Sequence, residues 1–176
     1  FITLFFPSMR FPPNKKDGDG FITKMDSDGK IITLKWVTGF DAPKGMALVG
    51  NTLYVTDIDR LKAVDVKTGK VTNTWKIPGS SFLNDVVATR DSVVYFTDSD
   101  KSAIHRLQKG KLSVVLEDTS LGGTNGIYFH EDNLYLAGYE SGNVSTYNLN
   151  DQSINQVDTQ NPGGVSIERY RGGWLV

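Results

Sequence analysis

Short apolar runs separated by turn residues recur along the chain, and no long apolar stripe at helical spacing interrupts them. From Gly45 the runs read GMALVG, TLYVT, LKAVDV and KVTNTWKI, joined by GN, DIDR and KTG. The runs are rich in β-branched and aromatic residues, whereas the joints carry residues that tolerate positive φ or bond their own backbone. The pattern predicts four short antiparallel strands linked by tight turns. Two runs, LYVTD at 53–57 and VYFTD at 94–98, hardly alternate. That marks them as central strands packed on both faces. Asp57 and Asp98, which close them, are expected to accept backbone N–H groups in turns rather than to do chemistry.

The four-strand pattern repeats. Units begin at Ala42, at Phe82 and at Gly123, and a fourth starts within NPGGVSIERYRGGWLV and stops. Gly45, Asp85, Gly126 and Gly164 are 40, 41 and 38 residues apart, and Tyr54, Tyr95, Tyr135 and Trp174 are 41, 40 and 39 apart. Two independent markers with one period predict an all-β chain of propeller blades, each a four-stranded antiparallel sheet. The blades are expected at about 1–41 (partial), 42–81, 82–122, 123–160 and 161–176 (partial), in one incomplete propeller domain. About four blades are thus present, and a piece of a six-bladed ring is the expectation. Exposed blade faces would then drive association of an isolated fragment.

The acidic run NKKDGDGFITKMDSDGKII, residues 14–32, needs separate treatment because it imitates a calcium loop. An EF-hand loop wants oxygen ligands at positions 1, 3, 5 and 12 and glycine at 6. With Gly20 at the glycine position, Lys15 falls at the first ligand; with Gly29 there, Lys24 and Lys35 fall at both ends. An ammonium has no lone pair to give. The run instead predicts a blade-edge hairpin, in which Asp26 is equivalent to Asp65.

Composition narrows the function. Net charge is −1, from 19 basic and 20 acidic residues without a block of either sign, so nucleic acid is not expected as a partner. Cysteine is absent, which removes disulfides and thiolate metal sites. The start FITLFFP has no basic lead or cleavage motif and is too short to span a bilayer, so a mature or truncated chain and no membrane partner are expected. A sequon stands at Asn143-Val144-Ser145, a tripeptide that chance often supplies. GDGFIT breaks the dinucleotide fingerprint at Thr23, and TGKV and KGKL lack the glycine-rich lead of a P-loop, so no nucleotide or organic cofactor is expected. GVSIE departs from a nucleophile elbow at Glu168. His105 and His130 are read as structural or solvated.

The segments APKGMAL, LYVTDIDRLKAVDVKTGKV, FLNDVV, VYFTDS, TNGIYF and NLYLAG resemble the senescence-marker-protein/gluconolactonase-like (regucalcin-like) propellers, and more distantly the NHL-repeat propellers. The resemblance covers roughly residues 14–176. It implies a six-bladed ring and an axial site where one divalent metal, usually calcium, serves hydrolysis of lactones. It also implies Asn125, in TNG, as a metal ligand and Asn84, in LND, on the substrate side. The family's Asp ligand in a PDG turn corresponds to Gly163 in PGG, and the family's early-blade Glu ligand has no assignable counterpart. Asp85 is a candidate general base. Each of these also has a plain reading: Asn125-Gly126 is a favoured turn pair, and Asn84 and Asp85 can satisfy backbone groups at a strand start. Two functions stay open, a calcium-dependent lactonase-type hydrolase and a non-catalytic propeller that binds a small molecule or protein partner. Relatives with such blades are often exported, which favours a periplasmic or extracellular place without excluding the cytoplasm.

Overall fold

The computed structural model describes residues 14–157, 159, 163–164, 166–171 and 173–175, and residues 2–5 and 174 by backbone alone. It divides into two compact units, Phe1–Phe82 and Leu83–Val176. Both are all-β and built from antiparallel blades.

In the first unit, β1 (Ile2–Phe5), β2 (Gly20–Met25) and β3 (Ile31–Phe40) form one sheet in that order. A second sheet follows the order β4 (Pro43–Val49), β5 (Thr52–Asp57), β6 (Arg60–Asp65), β7 (Lys70–Lys76). The hairpin expected in the acidic run is present as β2 and β3. Its turn is held by Asp26, whose Oδ1 accepts the N–H groups of Asp28 at 3.0 Å and Lys30 at 2.8 Å. Asp65 does the same in the next sheet, taking the N–H groups of Lys67 at 3.1 Å and Thr68 at 2.8 Å. These carboxylates serve their own turns, the use that the repeat spacing implied.

β1 opens the partial blade expected at about 1–41: it pairs with β2, Phe5 opposite Phe21, in the place that β5 holds beside β6. The match to later blades was hidden because β1 lacks the closing Asp that marks the others. Between the sheets lies a core of Ile22, Val37, Phe40, Leu53, Val55 and Val64. Asp57, fully buried, accepts the N–H of Ala42 at 2.7 Å and the Nζ of Lys62 at 2.7 Å, and that Nζ also donates to the Gly39 carbonyl at 2.7 Å. A buried charge pair keeps its place only when its hydrogen bonds are complete, and here they anchor the crossing from β3 to β4. Asp57 is therefore structural, as its position predicted.

The second unit holds two full blades. One has the order β11 (Lys111–Glu117), β10 (Ala103–Gln108), β9 (Val94–Asp98), β8 (Leu83–Ala88); the other runs β12 (Thr124–His130), β13 (Asn133–Gly138), β14 (Val144–Asn148), β15 (Ile154–Val157). A two-stranded piece, β16 (Glu168–Tyr170) with β17 (Gly173–Leu175), continues the pattern. Tyr95, Ile104, Leu121, Ile127, Leu134, Leu136 and Tyr147 are among the buried residues of one shared core. A short 3-10 turn, Thr119–Leu121, leads into β12 and is capped by Asp118, whose carboxylate accepts the Ser120 N–H at 2.8 Å. Among the described residues no helix is long and apolar enough to cross a membrane.

The sequence markers fall at equal register. Tyr54, Tyr95, Tyr135 and Trp174 pair with Ala47, Val87, Tyr128 and Arg169, each on the first strand of its hairpin. The first strands β4, β8 and β12 each carry a β-bulge, between Pro43 and Met46, between Leu83 and Val86, and between Thr124 and Gly126. A bulge inserts unpaired residues and re-aims their side chains, which is why such positions recur beside functional sites.

Candidate functional site

Asn84, Asp85 and Asn125 sit in two of these bulges, in neighbouring blades of the second unit. The residue types explain the local shape. In β8 the extra residues Asn84 and Asp85 leave the Asp85 N–H without a ladder partner, and the Thr97 hydroxyl on β9 accepts it at 3.0 Å. Thr56 closes the β4 bulge in the same way by accepting the Gly45 N–H at 2.8 Å. The Thr97 hydroxyl then donates to the Asn125 carbonyl at 2.7 Å, so one side chain joins the two bulges. The third repeat has Ala137 where the others have threonine and cannot repeat the device.

Asp85 completes the junction. Its Oδ1 accepts the Val86 N–H at 2.9 Å, and its Oδ2 accepts the Ile127 N–H of the adjacent blade at 3.2 Å. Burial pushes its carboxyl above the ordinary range, the two N–H groups pull the other way, and the nearby Glu168 carboxylate adds to the rise. The side chain is thus a carboxylate stitched to two strands, in surroundings that favour its protonated form.

Asn84 is buried, and its Nδ2 donates to the Ser99 hydroxyl at 2.7 Å, which donates in turn to the Thr124 carbonyl at 2.8 Å. Asn125 is half-buried, and its backbone oxygen is the part held, by Thr97. Gly126 beside it permits close packing: a Cβ there would stand 2.8 Å from Cα of Ser166. Asn84 and Asn125 therefore lie along one polar seam, linked through Ser99 and Thr97. Gly163 lies in the stretch before β16 with φ +93°, a conformation that suits glycine, and a Cβ there would meet nothing within 4 Å. Asn161 and Pro162, which precede it in NPGG, lie outside the described residues, as does Val165.

The fit to calcium is poor. The ion takes six to eight oxygens and needs carboxylates among them. Here both Asp85 oxygens accept backbone N–H groups, Asn84 and Asn125 bring only neutral amides, and Gly163 brings no side chain. Among the described residues no three His, Asp or Glu side chains come together in a way that could hold a metal ion.

Three contributors escaped the sequence reading. Thr97 and Ser99 flank Asp98 in YFTDSD, and the recurring Thr-Asp pair at 56–57 and 97–98 was the signal for the first. Glu168 was weighed only as the end of a failed GxSxG match, whereas it stands close enough to Asp85 to influence its charge. His105 is buried, 3.6 Å from Asp98 Oδ2 and stacked on Phe96 at 5.2 Å between centroids, a structural setting. It occupies the position in its blade that Lys62 holds opposite Asp57, since His105 pairs with Phe96 and Lys62 with Val55.

No known protein family matches the chain, and no curated protein matches it in sequence. Solved structures do. A virginiamycin B lyase from Staphylococcus aureus, crystallised with quinupristin, is 18% identical over 83% of this chain and 52% of its own, with a TM-score of 0.66. A structure of the nidogen/laminin complex is 18% identical over 88% of this chain and 62% of that one, with a TM-score of 0.71. A gluconolactonase from Xanthomonas campestris is 17% identical over 92% of this chain and 62% of that one, with a TM-score of 0.67. The likeness is one of fold. These propellers host different activities, and the chain spans only 52% to 62% of their lengths.

Proposed function

We propose that this chain is part of a β-propeller that binds a small ligand or a protein partner without catalysing a reaction, with the Asn125 amide offered to that ligand. The engagement of Asp85 is the observation that supports this most. Both of its oxygens accept backbone N–H groups, one from each of two blades. A carboxylate so placed holds strands together and is poorly available to take a proton from water or substrate. Asn84 is similarly absorbed by Ser99, which leaves Asn125 as the bulge residue whose side chain makes no hydrogen bond among the described residues.

The second reading is metal-dependent hydrolysis of lactone-type esters, with Asn125 on calcium and Asn84 on the substrate. One observation favours it: the Asp85 carboxyl is pushed upward by burial, the direction a general base requires. Calcium calorimetry on the full chain separates the two. The expected result is no saturable binding by the folded protein and no turnover of a sugar lactone with calcium present. One-site binding that disappears in Asn125→Ala, with lactone turnover, would overturn the binding-module reading.

A further inference from the structure

A polar concavity lies in the second unit, on other strands than the bulges. Tyr95 on β9, Arg106 on β10 and Tyr147 on β14 line a cavity of about 190 Å³ between two blades, with Gln152 of the β14–β15 turn beside them. Its other walls are aliphatic: Val114 and Val115 of β11, and Leu149.

Arg106 is the one formally charged side chain in this lining. It is half-buried, and among the described residues it meets no carboxylate: its Nε donates to the Ser113 hydroxyl at 3.3 Å, and it bonds the Tyr95 hydroxyl. A guanidinium withdrawn from water is ordinarily paired, because desolvation of an uncompensated charge is expensive. It also carries five N–H donors in a planar fork that fits a carboxylate. The bonds to Ser113 and Tyr95 leave donors over.

The neighbours suit the same guest. Burial pushes both tyrosine hydroxyls up, opposed by the Arg106 charge, so each remains a neutral O–H donor at neutral pH. Gln152 is fixed in place, with φ +61° and its N–H donated to the Asn148 carbonyl at 3.0 Å. Asp91 is the acid that acts on Tyr95, and it is exposed and tied to the Thr89 hydroxyl at 2.6 Å.

We propose that this inter-blade cavity binds a small organic carboxylate, with Arg106 on the carboxylate group and Val115 and Leu149 against its apolar part. The volume sets the scale of what the concavity holds: 190 Å³ equals the share of about six water molecules in the liquid. A short-chain or single-ring acid fits within it. Inorganic phosphate would leave the aliphatic wall unused.

Benzoate is the probe, titrated into the full chain by protein-observed NMR, with neutral benzamide and inorganic phosphate as comparisons. Saturable benzoate binding is expected, with benzamide and phosphate each at least about tenfold weaker, the discrimination a charge-matched fork supplies. Arg106→Gln should remove the preference for benzoate over benzamide, in a protein whose near-ultraviolet circular dichroism is unchanged. Should that variant unfold, Val114→Trp, at the exposed rim, tests the same cavity by filling its mouth and should weaken benzoate about tenfold or more. Equal binding of benzoate and benzamide, phosphate binding as tight as benzoate, benzoate shifts in a folded protein that move residues elsewhere, or no saturation at all would each overturn the assignment.

Discussion

Asp85 is a residue whose charge and position pull in different directions. Its two hydrogen bonds from Val86 and Ile127 favour the ionised form, but burial and Glu168 outweigh them and raise its carboxyl. A raised acid binds a proton more readily in the folded than in the unfolded chain. Its contribution to stability is therefore fully present below the unfolded value, about 3.9, and is lost as pH rises through the folded one. Asp85→Asn cannot titrate. Urea unfolding of both proteins from acid to neutral pH should show wild type losing ground to Asp85→Asn as pH rises through that window. A constant difference across the range would mean that Asp85 is not raised. Aspartates shared by the two proteins cancel in this comparison.

At the scale of the element, the recurring device is a bulge in the first strand of a blade, closed by threonine from the second. The residue that follows the bulge must also let the next segment approach. Gly126 does this in β12, where a Cβ would lie 2.8 Å from Cα and 2.9 Å from the carbonyl carbon of Ser166. Both are backbone atoms, which cannot swing aside as a side chain does. Gly126→Ala should cost about 1–3 kcal/mol through overpacking. Denaturant unfolding checks it, as a lowered midpoint with unchanged slope. The loss should be larger than for Gly110→Ala, where a Cβ meets nothing within 4 Å although φ is +77° and strain remains. No loss at Gly126 would show that the Ser166 backbone yields to the added methyl, since Gly126, unlike Gly110, does not have a positive φ.

At the scale of the whole molecule, the outer strands are where association with another copy is expected. β3 is the terminal strand of its sheet and leaves Ile31, Ile32 and Leu34 exposed, at 49%, 57% and 54%. An apolar strand with unpaired backbone groups at a sheet edge is a template for association. The chain should self-associate in a concentration-dependent way, and the pair Ile32→Lys with Leu34→Lys should shift it toward monomer. Sedimentation velocity over roughly a hundredfold concentration range is the test, set by the usual spread of weak self-association. A monomer throughout would show that the edge is protected.

Periodicity alone was enough for the blades, because four strands and their turns obey local rules: alternation, β-branched runs, and Asp or Gly where φ turns positive. Asp26 and Asp65 announced their turns by spacing, and Tyr54, Tyr95 and Tyr135 announced their register. The same spacing placed Asn84, Asp85 and Asn125 at one level of successive strands. It could not say where their polar atoms point. Only tertiary packing puts the Ile127 N–H in front of Asp85, Ser99 beside Asn84 and Thr97 between two bulges, since those partners lie 42, 15 and 28 residues away. The Ile127 and Thr97 bonds cross from one blade to the next and the Ser99 bond joins two strands of one blade, and a repeat motif read along the chain carries no information about which neighbour a side chain will meet.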